Sequence, residues 1–293
     1  MKTNKLFKST TFLIISAVAL VTSCKDEERI TRADTQDITE EAVTDSYFQD
    51  MDDMGGVAIQ TPTEDQLGSG RVKAIVTVND ARFRCSGTPV SVTVEPAAGS
   101  TKANPMGVIT VNFGSGCTDL QGNTRSGKLI FTYSGRRFMP GSTVVTTGDN
   151  YIINGIKLEG TRTLTNVTTS TADTPSFNIK LAGGKATFDD LTFATRDSDI
   201  TSKWIRASSP LEDKLIIEQG STANGTTRGG RTYKVDILAQ LEFKRACGIA
   251  VTGIKKYTID GDKEITIDYG DGTCDKDFTM TVSGGVTRSI SVK

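Results

Sequence analysis

The stretch Tyr233-Lys234-Val235-Asp236-Ile237-Leu238-Ala239-Gln240-Leu241-Glu242-Phe243 decides the fold class. Tyr233, Val235, Ile237, Ala239, Leu241 and Phe243 share one side of an extended chain, and Lys234, Asp236, Gln240 and Glu242 share the other. Successive side chains of a strand point to opposite faces, so a period of two predicts one buried face and one wet face. The pattern recurs with Leu129, Phe131 and Tyr133 against Lys128, Ile130 and Thr132, and with Phe177, Ile179 and Leu181 against Asn178 and Lys180. Between such runs lie Asn154-Gly155, Gly183-Gly184, Asp260-Gly261 and Gly284-Gly285, pairs that accept the positive φ angles of tight hairpins. Strands joined this way run antiparallel. Residues 71–293 are therefore expected to form an all-β domain, an antiparallel meander folded as one large sheet or a sandwich. The wet faces lack a sustained apolar band with aromatic girdles, which argues against a membrane-spanning barrel.

Within that domain two segments echo each other, 85–135 and 247–292. The first has Cys85-Ser86-Gly87, then Ile109-Thr110-Val111-Asn112-Phe113-Gly114-Ser115-Gly116-Cys117. The second has Cys247-Gly248, then Ile265-Thr266-Ile267-Asp268-Tyr269-Gly270-Asp271-Gly272-Thr273-Cys274. An even set of four cysteines in this domain reads as disulfides if the chain reaches an oxidising compartment, and spacing alone does not choose among the three pairings. If the segment arose by duplication, each copy keeps its own bridge. That predicts Cys85–Cys117 and Cys247–Cys274, with the crossed pairings left open.

The chain contains no histidine. This removes the commonest general base, the commonest metal ligand, and every Ser-His or Cys-His triad. Neither a Gly-x-Ser-x-Gly elbow nor a phosphate-cradling glycine loop occurs, and the sequence implies no cofactor. One turn gathers hard-cation ligands, Asp268, Asp271, Asp275 and Asp277, but lacks EF-hand spacing and its bidentate Glu. Asp and Gly also favour tight turns for conformational reasons, so a structural turn rather than a metal site is expected.

At the other end, Lys2, Lys5 and Lys8 precede an apolar run from Phe12 to Val21 that is too short to remain as a membrane span. Residues 1–23 therefore read as a signal peptide. Small residues before Cys24 place its thiol where a lipobox nucleophile belongs, so Cys24 is the expected lipidation site. Several acyl chains, at about 0.8 kcal/mol per buried methylene, anchor a soluble domain durably. From Lys25 to Leu67 thirteen Asp or Glu face three Lys or Arg, while the chain from Gly68 onward carries a net charge of +6. Residues 24–70 are accordingly read as the lipidated Cys and an acidic flexible tether, with a marginal helix over Asp37–Met54. A mildly basic body without a clustered basic patch does not suit nucleic-acid binding.

The stretch Cys24-Lys25-Asp26-Glu27-Glu28 resembles the signal of surface-exposed lipoproteins of Bacteroidota, in which Lys25, Asp26, Glu27 and Glu28 would serve as the export signal. The body, with Asn112-Phe113-Gly114-Ser115-Gly116-Cys117 and the Gly270-Asp271-Gly272-Thr273-Cys274-Asp275 turn, is similar to uncharacterised lipoproteins of that phylum. The resemblance implies a lipid-anchored outer-membrane protein facing the cell exterior, and it implies no catalytic residue. The expected role is a non-catalytic binding or structural module for a glycan or protein partner. Its candidate loop edges are Thr161–Thr174 and Ser221–Arg231, and Trp204 is a candidate stacking residue more simply read as core. Two alternatives are a periplasm-facing envelope factor and a carboxylate-dependent glycoside hydrolase, for which Glu159, Glu242, Glu264 and Asp268 are candidates.

Overall fold

The structure, a computed structural model, describes residues 29–68, 73–85, 88–169, 174–205, 213–244, 247, 249–275 and 277–291. The expected acidic tether gives way over most of its length to a long helix, α1 (Arg32–Gln60), followed by a short α2 (Glu64–Gly68). Strands then follow in order: β1 (Ala74–Val76), β2 (Arg84–Cys85), β3 (Thr88–Pro89), β4 (Ser91–Pro96), β5 (Met106–Thr118), β6 (Thr124–Ser134), β7 (Thr143–Ile153), β8 (Ile156–Asn166) and β9 (Ser176–Thr187). The second half contributes β10 (Phe193–Ile205), β11 (Lys214–Ile217), β12 (Thr222–Thr226), β13 (Thr232–Lys244), β14 (Ala250–Ile259), β15 (Lys263–Asp271), β16 (Asp277–Val282) and β17 (Thr287–Ser291).

All but β2 and β3 join one antiparallel sheet of 15 strands. The order β1-β4-β5-β6-β7-β8-β9-β10-β11-β13-β14-β15-β16-β17 follows the sequence, with β12 alongside β11 between β10 and β13. This is the meander expected, as one sheet rather than a sandwich. Asn154 (φ 49°) with Gly155 (φ 81°) turns β7 into β8, and Asp260 (φ 52°) with Gly261 (φ 86°) turns β14 into β15. Gly183-Gly184 differs from expectation: the pair lies inside β9, where register slips opposite β8 and β10, and forms an irregularity instead of a hairpin. The two loop edges are likewise shorter than expected, because Thr161–Asn166 belongs to β8 and Thr222–Thr226 is β12.

The strand pattern places Val92, Val94, Ile109, Val111, Leu129 and Phe131 on the buried face with no exposure. The second half of α1 packs there through Phe48, Met51, Met54 and Ala58. Contact is close enough that a Cβ on Gly55 would stand 2.7 Å from the Phe131 ring. A second core, with Tyr233, Val235, Ile237, Tyr257, Ile265 and Val282, takes in Ile38 from the first half of α1 and Ile30 from the chain just before it. The helix thus spans both cores over about 43 Å, at about 1.5 Å per residue. It is part of the folded body, correcting the tether and moving the body's start from residue 71 to the N-cap Thr31.

Candidate functional site

The helix begins with a capping box. Thr31 Oγ1 accepts from the Asp34 N–H at 3.2 Å, and Asp34 Oδ2 accepts from the Thr31 N–H at 2.8 Å. Thereafter its buried positions recur every three or four residues, as a helix face requires, but many of them are acidic: Asp34, Asp37 and Glu41 precede Thr44, Phe48 and Met51. Each buried carboxylate meets a cation from the sheet. Asp34 pairs with Lys263 Nζ at 2.6 Å and Arg231 Nη1 at 2.9 Å, and Asp37 with Arg231 at 3.0 Å. Glu41 pairs with Arg196 and with Lys255 at 3.3 Å, and Asp45 takes the far side of the Arg196 guanidinium at 3.0 Å. Asp50 is gripped at two points by Arg125, at 2.5 and 3.1 Å, and Asp52 by Arg162. The acidic segment and the basic body, separate in the sequence, neutralise one another in the fold.

Electrostatics along this seam follow burial and pairing. Burial pushes the Asp34 carboxyl up, but hydrogen bonds from Lys263, Thr31 and Arg231 outweigh it and lower it to about 2. Burial also opposes ionisation of Glu41, yet Lys255, Arg196 and Tyr257 hold it below the usual carboxylate range. Asp52 is raised by burial, against the pull of Arg162. The seam is a closed set of ion pairs suited to holding a helix.

Both expected bridges are present, Cys85–Cys117 with Cα atoms 5.3 Å apart and Cys247–Cys274 at 5.5 Å. Each ties the C-terminal end of a long strand, β5 or β15, to chain that precedes the neighbouring strands. Beside the first bridge, register shifts between β5 and β6 open a shallow depression of about 430 Å³. The hydroxyls of Ser115, Thr118, Thr124 and Ser126 line it, with Arg125 beneath.

The aspartate turn serves its own backbone. Asp268 accepts from the Gly270 N–H, Asp271 from the Thr273 N–H, Asp275 from the Asp277 N–H, and Asp277 from the Ser291 hydroxyl. Among the described residues, no group of three or more His, Cys, Asp or Glu is placed to hold a metal ion. The hydrolase candidates lie apart: Glu159 on β8 pairs with Lys157, Glu242 on β13 with Lys214, and Glu264 on β15 with Lys256. Trp204 donates from Nε1 to Asp213 at 3.0 Å and packs against the Phe138 ring, 6.0 Å away. Cys24, Lys25, Asp26, Glu27 and Glu28 lie outside the described residues. Sequence reasoning missed the seam because it sought apolar periodicity. The signal was the matched −10 and +6 charges of the two parts.

No family model, curated protein or solved structure matches the chain.

Proposed function

We propose that the chain is an outer-membrane lipoprotein anchored through acyl chains on Cys24 and displayed on the cell exterior, with a body that acts as a non-catalytic binding or structural module. The observation that carries this reading is the position of the helix start relative to the lipobox. Arg231 and Lys263 fix the first turn of α1 to the sheet, and only seven backbone steps, across six intervening residues, separate Cys24 from the N-cap Thr31. At about 3.5 Å per residue they reach at most about 25 Å. A lipid on Cys24 would therefore hold a rigid body at the membrane surface instead of trailing it on a long leash.

The non-catalytic reading is supported by the pairing of Glu159, Glu242 and Glu264 with separate lysines. Protease treatment of intact cells tests the display. Loss of the body alongside other surface proteins is expected, and its survival while those are digested would place the domain in the periplasm. Purified protein on a glycan array, with chromogenic glycosides as the catalytic control, tests the module: binding without turnover is expected.

A further inference from the structure

We propose that the sheet end carrying the β9–β10 turn is a membrane-contact surface, with Leu191 and Phe193 entering the lipid interface. The proposal rests on the anchoring of Cys24. The turns after β5, β7, β9, β12, β14 and β16 all lie at one end of the meander, and the turns after β6, β8, β10, β13 and β15 lie at the other. Helix α1 begins at the first end. Arg231, in the turn after β12, holds Asp34 and Asp37, while Lys263, the first residue of β15, reaches Asp34 and the Arg29 carbonyl. Three residues before Arg231, Arg228 pairs with Asp190 at 2.7 Å and donates to the Thr192 hydroxyl, which ties the β9–β10 turn to the helix start.

Chain length then orients the molecule. Strands of thirteen residues such as β10 put the two ends about 40 Å apart at about 3.3 Å per residue. The seven backbone steps from Cys24 to Thr31 span at most about 25 Å, so the far end cannot be the one that rests on the bilayer.

The near end carries an apolar tip with no packing explanation. Leu191 is 80 % exposed and Phe193 47 %. Leu191 also has φ 65°, a left-handed conformation that a branched side chain rarely adopts and that glycine would fill without strain. A leucine kept under backbone strain and in water gains nothing within the fold, which points outward to an apolar partner. Lys185 stands 4.6 Å above the Phe193 ring and Arg228 3.9 Å above Phe188, placing cations at headgroup depth behind the tip.

The test uses the lipidated protein in phosphatidylethanolamine–phosphatidylglycerol vesicles doped with a doxyl-labelled lipid. The native cysteines are bridged or acylated, so a fluorophore can be placed by Asp189→Cys at the near end or by Met139→Cys at the far end. Several-fold stronger quenching at 189 than at 139 is expected, with most of the difference lost in a Leu191→Gly, Phe193→Ser background. Equal quenching, or stronger quenching at 139, overturns the orientation. A difference that survives the double substitution overturns insertion by the tip. The acyl mass on Cys24 is read from the same sample: its absence sinks the anchoring itself, whereas its presence with unpreferential quenching sinks only this contact surface.

Discussion

The Tyr257 hydroxyl donates a hydrogen bond to Glu41 Oε2 at 2.5 Å, joining the middle of α1 to β14 across 216 residues of sequence. Both residues are buried, and the same carboxylate also meets Arg196 and Lys255. Removing one member of such a set leaves the others desolvated without a counter-charge. We expect Glu41→Gln to lower stability by about 3–5 kcal/mol, and the joint change Glu41→Met with Arg196→Met to recover a large part of that loss. Denaturant unfolding measures both. A loss from Glu41→Gln below about 1 kcal/mol would mean that the seam does not hold the helix.

The seam also sets the acid limit of the fold. Asp34 and Glu41 have carboxyls below their ordinary values, so they bind protons less tightly when folded than when unfolded. Their contribution is whole above about pH 5 and drains as the pH falls toward about 2. Asp37 and Asp52 are raised by burial and have the opposite sign: protonating them above their unfolded values relieves the fold. The melting temperature should therefore hold or rise slightly as the pH falls toward the ordinary carboxylate range, and fall steeply below about pH 4. Glu41→Gln should flatten the acid fall. A steady decline beginning near neutrality would contradict these assignments.

Phe48 is 1 % exposed and packs α1 against the sheet core. Truncation of a buried phenylalanine costs about 3–5 kcal/mol through lost transfer and a residual cavity. Phe48→Ala should show a loss of that size by chemical denaturation, and amides of Arg32–Gln60 should exchange with deuterium as slowly as those of β6. A helix exchanging within seconds in the parent chain would restore the tether.

The two disulfides close loops with sequence separations of 32 and 27. In the chain-entropy description each contributes about 3–4 kcal/mol by restricting the unfolded chain. Paired Cys→Ser changes at 85 and 117, or at 247 and 274, should each lower stability by that order. Non-reducing peptide mapping should return only the two intra-copy bridges. Crossed peptides in the native protein would refute the pairing.

How far the sequence was legible depends on the element. Alternation in Tyr233–Phe243 predicts β13, and burial of Tyr233, Val235, Ile237 and Leu241 follows it. Asn154-Gly155 and Asp260-Gly261 mark hairpins because both residues of each pair take positive φ. Gly183-Gly184 carries the same local chemistry, yet the register of its two neighbours makes it an irregularity inside β9, a decision no local pattern records. Helix α1 was legible only in part because Asp34, Asp37 and Glu41 occupy buried positions that apolar periodicity counts as wet. Their partners Arg196, Arg231, Lys255 and Lys263 lie more than 150 residues away, so the docking face becomes readable only once the sheet is assembled. The strained Leu191 is invisible in sequence, since φ is set by the turn and not by the residue.

Anchoring through Cys24, with the folded body starting within its reach, is the proposal on which the orientation and the role depend. Mass spectrometry of the amino-terminal peptide of the mature protein tests this most directly. The expected mature chain begins at Cys24, with a diacylglyceryl thioether on its sulfur and an acyl group on its amine. A free Cys24 thiol, or a mature chain beginning beyond residue 24, would contradict it.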